Sequence, residues 1–214
     1  MNLCYHEAIL SFQSLKQMSE FHQIEGVILR SFNYKEKQKI LSVFTKDGIL
    51  SFITYVSKNK ASGALCEPTS CVNFTYSKSR SDLLKVKEIN LINAHISLRN
   101  NYEKIESASN ILRSLVKSQL PGKPSPLLYQ LTKVYLKQLC KSIYPKGIEI
   151  SFLLKLMRHE GLLSFEKDSP FTNEETILVK ALTFTKDFSL LEEIHLDGIF
   201  TGKVENLFNE TVNV

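Results

Sequence analysis

From residue 24 onward the apolar positions follow two spacings, first every second residue and later every third or fourth. "IEGVILRSF" (24–32), "QKILSVFTK" (38–46), "GILSFITYVS" (48–57), "TSCVNFTYS" (69–77) and "LLKVKEINLI" (83–92) are five runs rich in β-branched and aromatic residues, the composition of strands. Turn formers separate them: "NYKEK", Asp47–Gly48, a loop of lysine and small residues, and "SKSRSD". Asp-Gly between two apolar runs predicts a tight hairpin. Val72, Phe74 and Tyr76 share one face of their strand, and Leu84 and Val86 oppose Lys85 and Lys87, because successive strand side chains alternate. The sheet this predicts has one greasy side and one cationic side. Five short antiparallel strands within residues 24–95 suit a closed barrel of the OB type, since closure removes exposed edges.

After His95 the period changes. Ile105, Ala108, Ile111, Leu112, Leu115 and Val116 predict a helix over 101–120. "PGKPSP" (121–126) ends it and starts another, with Ser125 as N-cap and Pro126 at the first helical position. That second helix carries Leu127, Leu128, Leu131, Val134, Tyr135 and Leu139 and closes before Pro145 and Gly147. A third is predicted over "IEISFLLKLMRHEGLL" (148–163), and shorter ones over 173–184 and 187–195. The fold class is α+β in sequence order: a five-stranded OB-fold domain over 24–95, then an all-α helical domain over 96–214. Residues 1–23 are poorly patterned and read as an N-terminal extension, with Met18 an alternative start.

Charge sharpens this division. Residues 1–172 carry 24 basic against 14 acidic side chains, whereas residues 173–214 carry 3 against 8. A basic body with an acidic C-terminal part suits either a polyanion-binding face or a plainly solvated surface. No apolar stretch approaches the ~20 residues of a bilayer span, and the N-terminus lacks a basic region leading into a long apolar core. A cytoplasmic protein with no membrane partner is expected. The four cysteines, at 4, 66, 71 and 140, lack a second pair at zinc-ribbon spacing, so no metal and no cofactor are expected.

Enzyme signatures fail on spacing. "DGIFTGKV" has three residues between Gly198 and Gly202, and Val204 after Lys203, where a phosphate loop needs four residues and then Ser or Thr. His159–Glu160 lacks the second histidine of a zincin, since Leu163 stands there. His95 and His159 read as structural or surface histidines, and no catalytic residue is expected. Cationic loops are a different matter. Residues 24–92 hold eleven basic side chains to six acidic ones. Arg30, Lys35, Lys37 and Lys39 surround the first turn, Lys58 and Lys60 leave the third strand, and Arg80, Lys85 and Lys87 occupy the last hairpin with Lys78. Phosphate backbones are held by such charges with little geometric demand. Phe32, Tyr34 and Tyr76 lie among them, and two roles stand open for each ring: core packing, the simpler one for Phe32 and Tyr76, or stacking on unpaired bases.

The order of these segments resembles the N-terminal module of the bacterial recombination mediator family RecO. The resemblance rests on Gly26-Val27-Ile28-Leu29-Arg30, on Tyr34 in a charged turn, on Phe44-Thr45-Lys46-Asp47-Gly48, and on Lys58 and Lys60 leading into Gly63-Ala64-Leu65 and Pro68. It extends more weakly to about residue 163. It implies an OB-fold plus a helical domain, and a non-enzymatic mediator of DNA repair. Such a protein would bind single- and double-stranded DNA, anneal complementary strands, and be associated with the nucleoid. With RecR it would load RecA onto DNA coated by single-stranded DNA-binding protein in the RecF pathway. Arg30, Tyr34, Lys35, Lys37, Lys39, Lys58, Lys60, Arg80, Lys85 and Lys87 become the expected DNA contacts. The helical domain would dock the acidic, apolar tail of the coating protein, for which Lys133, Lys137 and Lys141 offer a cationic stripe at i, i+4, i+8; a solvated face explains that stripe equally. Many family members carry a four-cysteine zinc site near where "LLSFEKDSPFTNEE" stands here without cysteine, so either the chain belongs to a zinc-less branch or apolar packing by Leu162, Leu163, Phe165 and Phe171 holds that region instead. A general OB-fold binder of RNA or single strands, or a pure protein adaptor, are the competing readings.

Overall fold

The computed structural model describes residues 21–55, 65–79, 81–165 and 170–212. Strands β1 (Phe21–Lys35), β2 (Gln38–Thr45), β3 (Gly48–Tyr55), β4 (Cys71–Ser77) and β5 (Leu83–Asn93) come first. They close into a barrel in the order β1-β2-β3-β5-β4, with β4 pairing back onto β1. Every pairing is antiparallel except β3 with β5, which runs only from Ser51–Leu83 to Ile53–Lys85. This is the OB-fold arrangement.

Ile24, Ile28, Leu41, Val43, Phe52, Val72 and Phe74 fill the barrel, and the Phe52 and Phe74 rings stack at 4.5 Å. The outer side of the same strands is covered too. Val27, Leu29, Phe44, Ile49 and Cys71 share one core with the helix residues Leu112, Leu115, Leu128 and Tyr129. That double burial explains why 26–29 reads as an unbroken apolar run rather than an alternation. The β2–β3 hairpin turns at Lys46–Asp47, as Asp-Gly predicts, and docks on the helices. Ser125 N–H donates to Lys46 O (3.0 Å) and Gly122 N–H to Ile49 O (3.0 Å). Gly48 has φ +96°, and a Cβ there would stand 2.4 Å from Lys123 O, so only glycine closes this junction.

Seven helices follow among the described residues: α1 (Ile96–Arg99), α2 (Tyr102–Ser118), α3 (Pro126–Leu139), α4 (Pro145–His159), α5 (Asn173–Phe184), α6 (Phe188–Glu193) and α7 (Gly198–Val212). Central α4 packs against α2, α3, α5, α6 and α7. Three details differ from expectation. Ser125 precedes α3, but its hydroxyl bonds His159 Nε2 (3.1 Å) instead of capping the helix. The second helix closes before Pro145 as expected, but the third starts at Pro145 rather than at Ile148, since proline suits a first helical turn. A Cβ on Gly147 would meet Leu191 O at 2.5 Å, so this glycine lets α6 approach. Finally, the glycines tested as a phosphate loop lie in α7, started by Asp197 Oδ1 accepting from Phe200 N–H (2.6 Å) and buried through Phe200, Val204 and Phe208. Its acidic segment faces bundle lysines: Glu205 pairs with Lys146 at 2.6 Å. No described helix is long and apolar enough to cross a membrane.

Candidate nucleic-acid interface

Directly opposed residues of neighbouring strands stand on one face. The registers therefore draw a row around the barrel's outer surface: Phe32–Ile40, Ile40–Ile53, Ile53–Lys85, Lys85–Ser77 and Ser77–Phe21. Arg30 opposes Ser42 on one side of this row, and Gln38 opposes both Lys35 and Tyr55 on the other. Their alternating neighbours Leu41, Phe52 and Leu84 point inward. Phe32 is 53% exposed, Tyr34 54% and Tyr55 75%. Lys87 Nζ lies 4.1 Å from the centre of the exposed Phe21 ring, and Lys35 Nζ lies 5.4 Å from that of Tyr34. Exposed rings edged by cations make a surface that can stack bases and hold phosphates.

Backbone irregularity in β1 builds this surface. The register shifts between Ile28 and Arg30, and again between Asn33 and Lys35. Each shift is a bulge, which reverses the in/out alternation beyond it. Phe32 shares even numbering with the inward Ile24 and Ile28, so an unbroken strand would bury it; the bulge turns it outward with Arg30. Core packing is thus the wrong role for Phe32. It is the right one for Tyr76, which packs on the barrel interior edge-on to Phe52 (5.4 Å).

Arg30, Tyr34, Lys35 and Lys85 lie on or beside the row, Lys37 is exposed in the β1–β2 turn, and Lys87 covers Phe21. Lys39 departs from the set. It opposes Asn33 and Thr54, shares the parity of inward Leu41, and pairs with Glu67 at 3.6 Å. Lys58, Lys60 and Arg80 lie outside the described residues. Tyr55 and Phe21 lie outside the expected set: one sits near the end of an apolar run, the other in the expected N-terminal extension.

The lysine stripe of α3 divides as well. Lys133 Nζ donates to Glu25 Oε1 of β1 (2.6 Å), and the Tyr129 hydroxyl donates to the same oxygen (2.7 Å). Burial alone would raise the Glu25 carboxyl, but the Lys133 and Tyr129 hydrogen bonds outweigh it and hold the group below its ordinary value. The Cys71 thiol, 3.8 Å from Glu25, is pushed up to about 11 by burial and then by that charge. Lys133 is therefore committed to a latch between the barrel and α3, while Lys137 and Lys141 stay exposed. A groove opens elsewhere on α3, in two adjoining cavities of about 330 and 440 Å³. Leu127, Leu131 and Val134 line it opposite Lys155 and Lys186. Arg158 lies over the Phe184 ring at 4.2 Å.

With that geometry in place, similarity to known proteins decides the family. The family model described as "Recombination protein O N terminal" matches residues 18–95. The "DNA repair protein RecO" of Chlamydia trachomatis is 30% identical over 150 residues, covering 67% of this chain and 60% of that protein. The chain belongs to the RecO family. The RecO of Chlamydia muridarum is 29% identical over 65% of this chain and 61% of its own, and that of Prosthecochloris aestuarii 26% identical over 67% and 55%. The chain thus spans between 55% and 61% of the length of these RecO relatives. The zinc site that many RecO proteins carry does not fit this chain. The stretch between α4 and α5 has no cysteine; Leu162, Leu163 and Phe165 pack on the helical core there, and Phe171 is buried in it.

Proposed function

We propose that this RecO-family chain is a non-enzymatic DNA-repair mediator that binds single- and double-stranded DNA on the outer barrel face and anneals complementary strands. The observation that carries the reading is the outward row of Phe32, Tyr34 and Tyr55 among Arg30, Lys35, Lys37, Lys85 and Lys87. Stacking platforms edged by cations accept any unpaired base and grip the backbone without reading sequence, which is what annealing of arbitrary strands requires. Lys58, Lys60 and Arg80 extend the cationic set on sequence grounds.

In this role the protein works with RecR to help load RecA onto strands coated by single-stranded DNA-binding protein, in the RecF pathway. The Leu127–Val134 groove suits the coating protein's acidic, apolar tail better than the lysine stripe does. Aliphatic side chains take a buried ring there, and Lys155, Arg158 and Lys186 meet the carboxylates. The test is annealing of complementary oligonucleotides coated by that protein, with binding measured across salt. Steeply salt-dependent binding and accelerated annealing are expected. Preference for RNA would favour a general OB-fold binder, and binding to neither nucleic acid would favour an adaptor.

A further inference from the structure

A second cationic surface lies where the barrel meets the helices. A groove of about 240 Å³ runs along that junction, with Leu29, Pro68, Leu112 and Val116 as its apolar floor and Arg30 and Arg113 on it from opposite domains. Arg99 donates to the Pro68 carbonyl (3.4 Å) and to Ser70 Oγ (3.1 Å) on the barrel side. Lys117 follows Arg113 by one helical turn. None of these four cations has a carboxylate partner among the described residues. Arg30 makes no ion pair among the described residues, Arg113 Nη1 donates only to the Asn110 amide oxygen (3.0 Å), and Lys117 Nζ only to that of Asn209 (2.8 Å). Three lysines elsewhere are held by acids, in Lys133–Glu25, Lys146–Glu205 and Lys203–Glu175, each at 2.6 Å. The two carboxylates beyond Arg113, Glu149 and Glu205, are both occupied by Lys146.

We infer that the single-strand path does not end at the barrel face but continues past Arg30 into this junction groove and over α2, where Arg113 and Lys117 hold further phosphates. Arg30 is the hinge of the argument, since it belongs both to the outer row and to the groove. Guanidinium groups grip phosphates in a planar, two-pronged way, and the apolar floor takes sugars and base edges. The inference rests on the barrel face binding DNA, and it gives the chain a binding site longer than the barrel alone.

The experiment is fluorescence anisotropy of labelled oligo-dT at two lengths, about 6 and about 20 nucleotides, the first within and the second beyond the roughly 4–16 nucleotides of an OB-fold site. Arg113→Gln with Lys117→Gln removes both α2 charges; the two side chains are exposed and bonded only to amides, so melting should be unchanged. On the long oligomer the salt slope should flatten by about 1.4, from ~0.7 per phosphate contact in a single strand. Equivalently, the wild type should lose about sevenfold more affinity than the variant between about 50 and about 200 mM salt. The short oligomer should bind both proteins alike, and Arg113→Lys with Lys117→Arg should keep the wild-type slope. Equal loss at both lengths, or none at either, overturns the extended path while leaving the barrel reading intact. Failure of the wild type to bind either oligomer overturns both.

Discussion

Tyr55 carries the sharpest prediction about the barrel face. Its ring is 75% exposed, ends β3 opposite Gln38, and makes no ring contact with another described aromatic. Truncating it should therefore cost the fold no more than about 0.5 kcal/mol, the usual range for a surface side chain. Its loss to binding is larger. A base stacked on an aromatic side chain is worth ~1–3 kcal/mol by alanine substitution, so Tyr55→Ala should raise the Kd for single-stranded DNA between about fivefold and about 150-fold. Stacking moves no counterions, so the slope of affinity against salt should stay as it is. Lys85, on the neighbouring strand opposite Ile53, is the contrast: Lys85→Gln should flatten that slope by about 0.7. Anisotropy titrations at several salt concentrations measure both quantities, and a Tyr55→Phe variant should bind as the wild type does. If Tyr55→Ala binds within about twofold of wild type while melting normally, no base rests on this ring and the row is ordinary barrel surface.

Two predictions concern stability. Glu25→Gln leaves Lys133 and Tyr129 without their shared carboxylate; with Glu25 and Lys133 side chains 38% and 32% exposed, the ion pair is worth at most ~1 kcal/mol and the Tyr129 bond about as much. An unfolding free energy lower by about 1–2 kcal/mol in total, read from a reduced urea midpoint at unchanged m, is expected. Because the folded Glu25 carboxyl titrates below its ordinary value, its contribution is present above that value and lost as pH falls through the lowered one; the Gln variant should lack this acid-side loss, and an unchanged midpoint and pH profile would count against the latch. His95 is buried with Nδ1 2.8 Å from Thr69 O, and burial holds its imidazole below the ordinary value. The unfolded chain takes up the proton first, so stability should fall as pH drops through about 6.5. His95→Asn, which tolerates the left-handed φ of 45°, should flatten melting temperature between about pH 7.5 and about pH 5.5; an identical slope in both proteins would place the titration elsewhere.

Much of the barrel is legible along the chain because its determinants are local. Alternation places Val72 and Phe74 inside and Lys85 outside, and Asp47–Gly48 marks the hairpin. The helices α2 and α3 show the same locality, their buried stripes repeating at three and four residues. What the sequence hides is where a period breaks or where a partner is distant. One inserted residue at Leu29 turns Phe32 from core to surface, and nothing in the residue types announces it. The glycines of α7 disguise a helix whose stripe of Phe200, Val204 and Phe208 is set by packing on the bundle. The same limit governs the lysines, which are the substance of any nucleic-acid argument.

A lysine's role depends on whether a carboxylate waits for it, and that carboxylate can lie anywhere in the chain. Lys39, Lys85 and Lys133 look alike in sequence. In the fold Lys39 faces Glu67 and Lys133 reaches back 108 positions to Glu25, whereas Lys85 makes no ion pair among the described residues. A phosphate approaching Lys133 must displace a 2.6 Å ion pair; at Lys85 it displaces only water and counterions, and the release of those counterions favours binding. Counting basic residues overstates the proposed interface for this reason, and subtracting those already paired removes Lys39 from the barrel set and Lys133 from the α3 stripe.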